Sequence, residues 1–373
     1  MKVLLVDQIA KVNYKYSYSL AEAIAKEGNE VILVVDQKKE SEHCTCEIMR
    51  LFNTDEKNIS KAKKLINYIK SYKAIYKELC NGNYNILHTQ WLIFSPVDYY
   101  YLKKIKRKLD IRLVVTIHDI LPFNQKFYDF TYHKRIYTLA DRVIVQAENN
   151  VKRFDELFPE LAGKEKMIPH GHFLEYAEIV DKLDARKKLQ IPGNKFVFLF
   201  FGQIKKVKGV GVLLEAFSKI YQSYPNSLLV IAGSVWKDDF SQYQEIIDKH
   251  NMNNSVITDI RYIPDNEVKD YYAASDCCVL PYLDVYQSGV IQLCYAHQKP
   301  VIATSIGAFK EVVIDRKTGY LCQPDNPEDL AEKMCLAMQN HANLEHMAEQ
   351  GYKYISDKFS WKKIAQKTVD LYS

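Results

Sequence analysis

The chain has 373 residues, a net charge of +5, 47% hydrophobic residues and 26% charged residues. That length suits two domains of ordinary size, and the apolar fraction is globular rather than disordered. So small a net charge gives no compositional case for nucleic acid, and no apolar run approaches the roughly 20 residues that span a bilayer.

Met1 leads straight into the strand Val3–Val6, which ends at Asp7, so no signal segment is expected. Helix is expected over Leu20–Ala25, closed by Gly28, and the next strand over Val31–Val35. Further strands are expected over Asn85–Gln90, Leu113–Ile117 and Arg142–Gln146. Strands alternating with helices imply a parallel sheet covered on both faces. Ligands of such sheets sit beyond the carboxyl ends of the strands. Those ends carry Asp7 with an Asn13–Ser19 loop, His88 to Trp91, and His118-Asp119. A histidine at the position of His118 can donate to a hydroxyl or phosphate oxygen, act as a base, or only bond a neighbouring loop. His88 carries a weaker form of the same argument, and Trp91 suits either the core or a sugar-stacking platform.

The eight cysteines are scattered and form no Cys-x-x-Cys pair, which fits free thiols in a reducing cytoplasm. His43, Cys44 and Cys46 could hold a metal, but no second ligand pair is evident, so no metal is expected. Residues 57–80 and 99–112 combine lysines with tyrosines. Such segments suit an anionic membrane surface, a solvated helix face or nucleic acid, of which we take the membrane and not the nucleic acid as the expectation.

Residues 168–193 link two halves, and alternation then resumes. Strands are expected over Phe196–Phe201, Leu228–Ala232, Cys277–Leu280, Val301–Ala303 and Gly319–Cys322. The order around Phe196–Phe217 is buried strand, Gly202, a loop bearing Lys205 and Lys208, Gly209, then helix. Unpaired N–H groups at a helix start favour an anion, and the two ammoniums add charge-assisted bonds. The plain alternative is a βα turn with solvated lysines. No Walker loop is present.

Several separated motifs resemble glycosyltransferases of the GT-B fold, family 4. Gly202 to Gly209 looks like that family's diphosphate loop, with Lys205 where an arginine is usual. Leu229 to Gly233, Asp276 to Tyr282, Gln298 to Thr304, Gly307 to Glu311 and Phe359-Ser360-Trp361 match further motifs in order. The resemblance implies two doubly wound Rossmann-like domains facing across a cleft, with a C-terminal helix crossing back. It implies an acceptor domain over residues 1–175 plus 355–373, and a donor domain over 176–354. Lys205, Lys208 and His118 would be catalytic. Gly202, Gln203, Asp284, Gln287, Ser288, Gly289 and Val290 would bind donor, and Asn13, His88 and Asp119 would face the acceptor. One departure matters: Asp284 lies near the first of the family's two glutamates, but Leu293 occupies the place of the second.

The implied reaction moves a sugar from a GDP- or UDP-sugar to a lipid-linked or polysaccharide acceptor. It uses no cofactor or metal, retains configuration, and takes place in the cytoplasm or peripherally on the inner face of the cell membrane. His118 would position the donor sugar; in an inverting variant His118 or Asp119 would be the base. Two rivals remain: a sugar-nucleotide epimerase of the same fold, and a non-catalytic sugar-nucleotide-binding partner.

Overall fold

The computed structural model describes residues 1–36, 44–52, 59–122 and 125–373, with backbone alone at 10–13. His43 and residues 57–58 of the basic segment lie outside the described residues, as does the side chain of Asn13. The chain divides into two compact units, Met1–Gly171 with Phe359–Ser373, and His172–Lys358.

The first unit alternates β1 (Lys2–Val6), α1 (Ala10–Lys26), β2 (Glu30–Asp36), β3 (Glu47–Phe52), α2 (Lys61–Asn81), β4 (Ile86–Thr89), α3 (Ser95–Lys108), β5 (Arg112–Ile117), α4 (Asp129–Leu139), β6 (Arg142–Val145), α5 (Glu148–Leu157) and β7 (Glu165–Met167). Every strand pair is parallel, in the order β3-β2-β1-β4-β5-β6-β7. Strands β1, β2, β4, β5 and β6 are the expected ones within a residue or two at each end. β3 and β7, the two edges, were not expected. Their sequences, EIMRLF and EKM, are too short or too mixed to show a fully buried strand.

Residues 13–19 are helical, not a loop. Ser, Tyr and Asn are indifferent helix formers, so propensity alone does not place α1 there. Burial does: Tyr16, Tyr18, Leu20, Ala21 and Ile24 are all buried.

The second unit alternates α6 (Lys182–Lys188), β8 (Phe196–Phe201), α7 (Val210–Ser218), β9 (Ser227–Ala232), α8 (Ser241–Lys249), β10 (Val256–Asp259), α9 (Asp265–Ala274), β11 (Cys277–Leu280), α10 (Gly289–Ala296), β12 (Val301–Thr304), α11 (Phe309–Val312), β13 (Gly319–Cys322), α12 (Pro327–Gln339) and α13 (His341–Lys358). Its six strands are also parallel, in the order β10-β9-β8-β11-β12-β13. A buried ion pair fastens α6 to this sheet. Asp276 Oδ2 accepts from Arg186 at 2.8 Å and from the Val197 N–H at 2.7 Å. Arg186 also donates from Nε to the Ala274 carbonyl and from Nη1 to the Gly193 carbonyl, bonds that offset the cost of burying the pair.

The last helix, α14 (Trp361–Tyr372), packs on α1 in the first unit. Tyr372 reaches the sheet and bonds His88 Nδ1 at 2.7 Å.

Candidate functional site

In each sheet the strand order reverses once, between β1 and β4 in the first unit and between β8 and β11 in the second. Loops leaving the carboxyl ends of strands diverge at such a point and leave room for a ligand. Both clusters of chemistry-bearing residues lie there.

In the second unit Gly202 leaves β8 with φ of +122°, and its N–H donates to the Ala232 carbonyl at 3.0 Å. Gly233 leaves β9 beside it with φ of +148°, and a Cβ there would run into the Gly202 carbonyl. Only glycine permits both the φ and the approach. The loop after Gly202 stays tied to its neighbour through Ile204 N–H to the Ser234 carbonyl (2.9 Å) and Trp236 N–H to the Ile204 carbonyl (3.0 Å). Lys206–Lys208 form one 3-10 turn, and Gly209 then enters α7 in the left-handed region against the Pro281 carbonyl.

This backbone sets the two lysines. Lys205 Nζ lies 5.3 Å from the Trp236 ring centroid, and Lys208 Nζ lies 3.6 Å from that of Tyr282. Trp236 was not expected in the site; its signal was its place in the loop after β9. Leu283 N–H donates to the Val207 carbonyl at 2.8 Å, which brings Asp284 alongside the lysine loop.

From Tyr282 the chain runs to the start of α10. A Cβ on Gly202 would sit 3.4 Å from Val290 Cγ2, so the loop after β8 touches the first turn of that helix. Ser288 is its N-cap residue but makes no side-chain capping bond. Ser288 Oγ is buried beside the Tyr282 hydroxyl without a well-formed hydrogen bond. Gln287 Oε1 and Gln292 Oε1 are likewise buried and unpartnered. Buried polar atoms normally find partners, and three without a well-formed one gather around this uncapped helix start. Gly202, Lys208, Tyr282, Ser288, Gly289 and Val290 are thus brought together. Gln203 continues the loop from Gly202. Gln292 is a residue that the sequence reading missed.

In the first unit Asp7 Oδ2 accepts from Ser17 Oγ at 2.5 Å, and Gln90 Oε1 lies 3.2 Å from both Ser17 Oγ and His118 Nε2. Trp91 stacks on His118 at 4.5 Å between centroids, and Tyr16 meets it edge-on at 5.0 Å. Burial, reinforced by the neighbouring His170, lowers the His118 pKa to about 3, so the ring is neutral at pH 7. Its Nδ1 is buried without a well-formed hydrogen bond, with the Gln146 amide nearby. Asp119 follows, half-buried. Burial also raises Asp7 to about 6, against the lowering effect of Ser17.

His88 is a correction. It was expected on the acceptor side, yet it is fully buried and both ring nitrogens are taken, Nδ1 by Tyr372 and Nε2 by Thr116 Oγ1 at 2.7 Å each. It joins β4, β5 and α14 and has no lone pair to offer. Lys106 and Arg112 also point inward: Lys106 pairs with Asp141 at 2.7 Å, and Arg112 bonds the Tyr372 carbonyl.

Residues 15–174 match the model of Glycosyltransferase Family 4, and residues 181–354 match that of Glycosyl transferases group 1. The chain belongs to this glycosyltransferase family. An uncharacterized glycosyltransferase of Methanocaldococcus jannaschii is 26% identical over 194 residues, 52% of this chain and 48% of that protein. The chain spans about half the length of the first curated relatives it matches.

Two solved structures give the same fold. Sucrose-phosphate synthase from Thermosynechococcus elongatus superposes with a TM-score of 0.79 at 20% identity, over 100% of this chain and 98% of that one. Anabaena HepE in complex with UDP-glucose superposes with a TM-score of 0.76 at 17% identity, over 100% and 99%. This member of family 4 therefore carries the GT-B fold, with two doubly wound units. None of its described helices is long and apolar enough to cross a membrane.

Proposed function

We propose that this chain transfers a sugar from a nucleoside diphosphate sugar, of the UDP or GDP class, to a glycan or lipid-linked acceptor. The observation that carries this is the uncapped start of α10, where Ser288 Oγ lies unpaired beside the loop that bears Lys208. Charge grows on the leaving diphosphate as its bond to the anomeric carbon breaks. Fixed N–H groups and two ammoniums lower that barrier because they need no reorganisation when the charge appears. HepE, whose structure holds UDP-glucose, supports the nucleotide class.

The neutral His118 ring suits a hydroxyl of the substrate, since its Nδ1 is buried without a well-formed hydrogen bond. The exposed lysines and apolar residues of α2 support a peripheral site of action on an anionic membrane.

Nucleoside diphosphates are the first test. UDP or GDP should raise the melting temperature of the wild type, by an amount equivalent to about 2.7 kcal/mol at a hundredfold the dissociation constant. Lys208→Ala should lose most of that shift. If none of the nucleotides stabilises the wild type, or Lys208→Ala responds as strongly, the donor site is misassigned. Binding without sugar transfer to any acceptor would favour the non-catalytic reading.

A further inference from the structure

Outside both switch points, one other group of chemistry-bearing side chains converges. Glu22 projects from the last turns of α1, and Cys44 and Cys46 lead into the edge strand β3. Thr45 lies between the cysteines, and both its N–H and its hydroxyl donate to Glu22 Oε2 at 2.8 Å. These two bonds hold the carboxylate against the thiols. One ligand atom from each of Glu22, Cys44 and Cys46 lies within 4.8 Å of the other two. Among the described residues this is the one such group of three.

We propose that Glu22, Cys44 and Cys46 form a binding site for a single thiophilic divalent cation, with zinc as the ion that the donor set fits best. Two sulfurs and one carboxylate oxygen are donors zinc accepts, and the sulfurs disfavour magnesium and calcium. Bonds of about 2.3 Å to sulfur and 2.0–2.2 Å to oxygen, at tetrahedral angles, put ligand atoms roughly 3.5–3.8 Å apart. The three side chains need to close by only about 1 Å to reach that spacing.

All three residues are half-buried, so an ion can enter and a water can complete the tetrahedron. Lys26 Nζ lies 3.4 Å from Glu22 Oε1 and its side chain is 73% exposed, so it can swing away. The ion would be structural: it would staple β3, which pairs with β2 on one side only, to α1. None of the residues assigned to the sugar nucleotide or to the hydroxyl site takes part.

The test uses the full chain, reduced and stripped of metal by a chelator. It is titrated with zinc against a chromophoric competitor, and with cadmium while thiolate-to-metal absorption is followed. The wild type should bind one equivalent per chain and melt at a higher temperature with zinc. The Cys44→Ser, Cys46→Ser double variant should lose the equivalent. Glu22→Gln should keep it with an affinity at least tenfold weaker. Cys80→Ser, which removes an exposed thiol elsewhere, should bind like the wild type. Circular dichroism establishes that each variant is folded. Absent uptake by the wild type, unchanged uptake by the double variant, or equal affinity in Glu22→Gln would each overturn the site. So would a Cys44–Cys46 disulfide that re-forms in the presence of zinc.

Discussion

The ammonium of Lys208 stands 3.6 Å from the centroid of the Tyr282 ring, one residue before the glycine that enters α7. A cation over an aromatic face gains about 0.5–2 kcal/mol, and the ring helps to orient it. Lys208→Ala should therefore remain folded, with a melting temperature close to the wild type. Its turnover should fall a hundredfold or more, since one contact to a developing anion is worth about 2.7–4 kcal/mol. Tyr282→Leu should give a smaller loss, because the ammonium remains but is no longer aimed. Initial-rate measurements on the three proteins decide it, and equal rates for wild type and Lys208→Ala would remove the assignment.

Gly233 faces the Gly202 carbonyl at a distance that no Cβ can share. Gly233→Ala must push the loops after β8 and β9 apart or force a strained φ, at a cost of about 1–3 kcal/mol. The expected result is a lower melting temperature together with weaker nucleotide binding. Gly28→Ala is the contrast: its φ is also positive, but nothing lies near its Cβ, so it should cost stability and leave nucleotide binding untouched.

The second unit was the more legible in sequence, for a physical reason. Phe196–Phe201 is an apolar run buried almost throughout, and Gly202, Gly209 and Gly233 mark backbone positions that only glycine fills. Such features are local and leave a trace residue by residue. The first unit hides its site in longer-range packing. Tyr16 lies in a helix that its own sequence does not announce, and it meets His118 and Trp361 only after folding. His88 lies near the end of β4 and His118 just after β5, yet one is tied off by Tyr372, 284 residues away in sequence, and the other keeps a nitrogen without a well-formed hydrogen bond. Spacing could not separate them, because the partner that distinguishes them comes from the last helix. Glu22 was invisible beside Cys44 and Cys46 for the same reason.

The basic segments also divide on folding. Lys61, Lys63 and Lys64 are exposed at the start of α2, next to Leu65 and Ile66, which are 39% and 52% exposed. Lys106 is spent on Asp141. Membrane attraction should therefore reside in α2 together with Lys104 and Arg107, not in Lys106. Charge reversal at Lys61, Lys63 and Lys64 should weaken binding to vesicles rich in phosphatidylglycerol by a hundredfold or more, at about 1 kcal/mol per basic residue. Reversal at Lys106 should lower stability instead. Sedimentation with vesicles at two salt concentrations measures both, and binding indifferent to salt and to the α2 reversal would leave the helix merely solvated.

Buried titratable groups set the response to acid. Burial lowers His88 and His118 to about 3 and His170 to about 4, from 6.5. It raises Asp7 and Asp98 to about 6, from 3.8. Between pH 6.5 and 4 the unfolded chain takes up protons on three histidines that the folded chain leaves neutral, so stability falls as pH falls. From pH 6 down to 4 the folded chain takes up protons on two carboxyls that the unfolded chain leaves ionised, which opposes the fall. These five groups leave a net slope of about one proton, or about 1.4 kcal/mol per pH unit, over that lower range. Asp98→Asn removes one opposing carboxyl and keeps an oxygen for Tyr72, which donates to Asp98 at 2.6 Å. Its slope should be steeper than that of the wild type by about one proton, or about 1.4 kcal/mol per pH unit. Urea unfolding of both proteins at several pH values between about 4.5 and 6 measures the difference. Parallel curves would mean that Asp98 is ionised throughout, held so by the two tyrosine hydroxyls and the Gln8 amide that surround it.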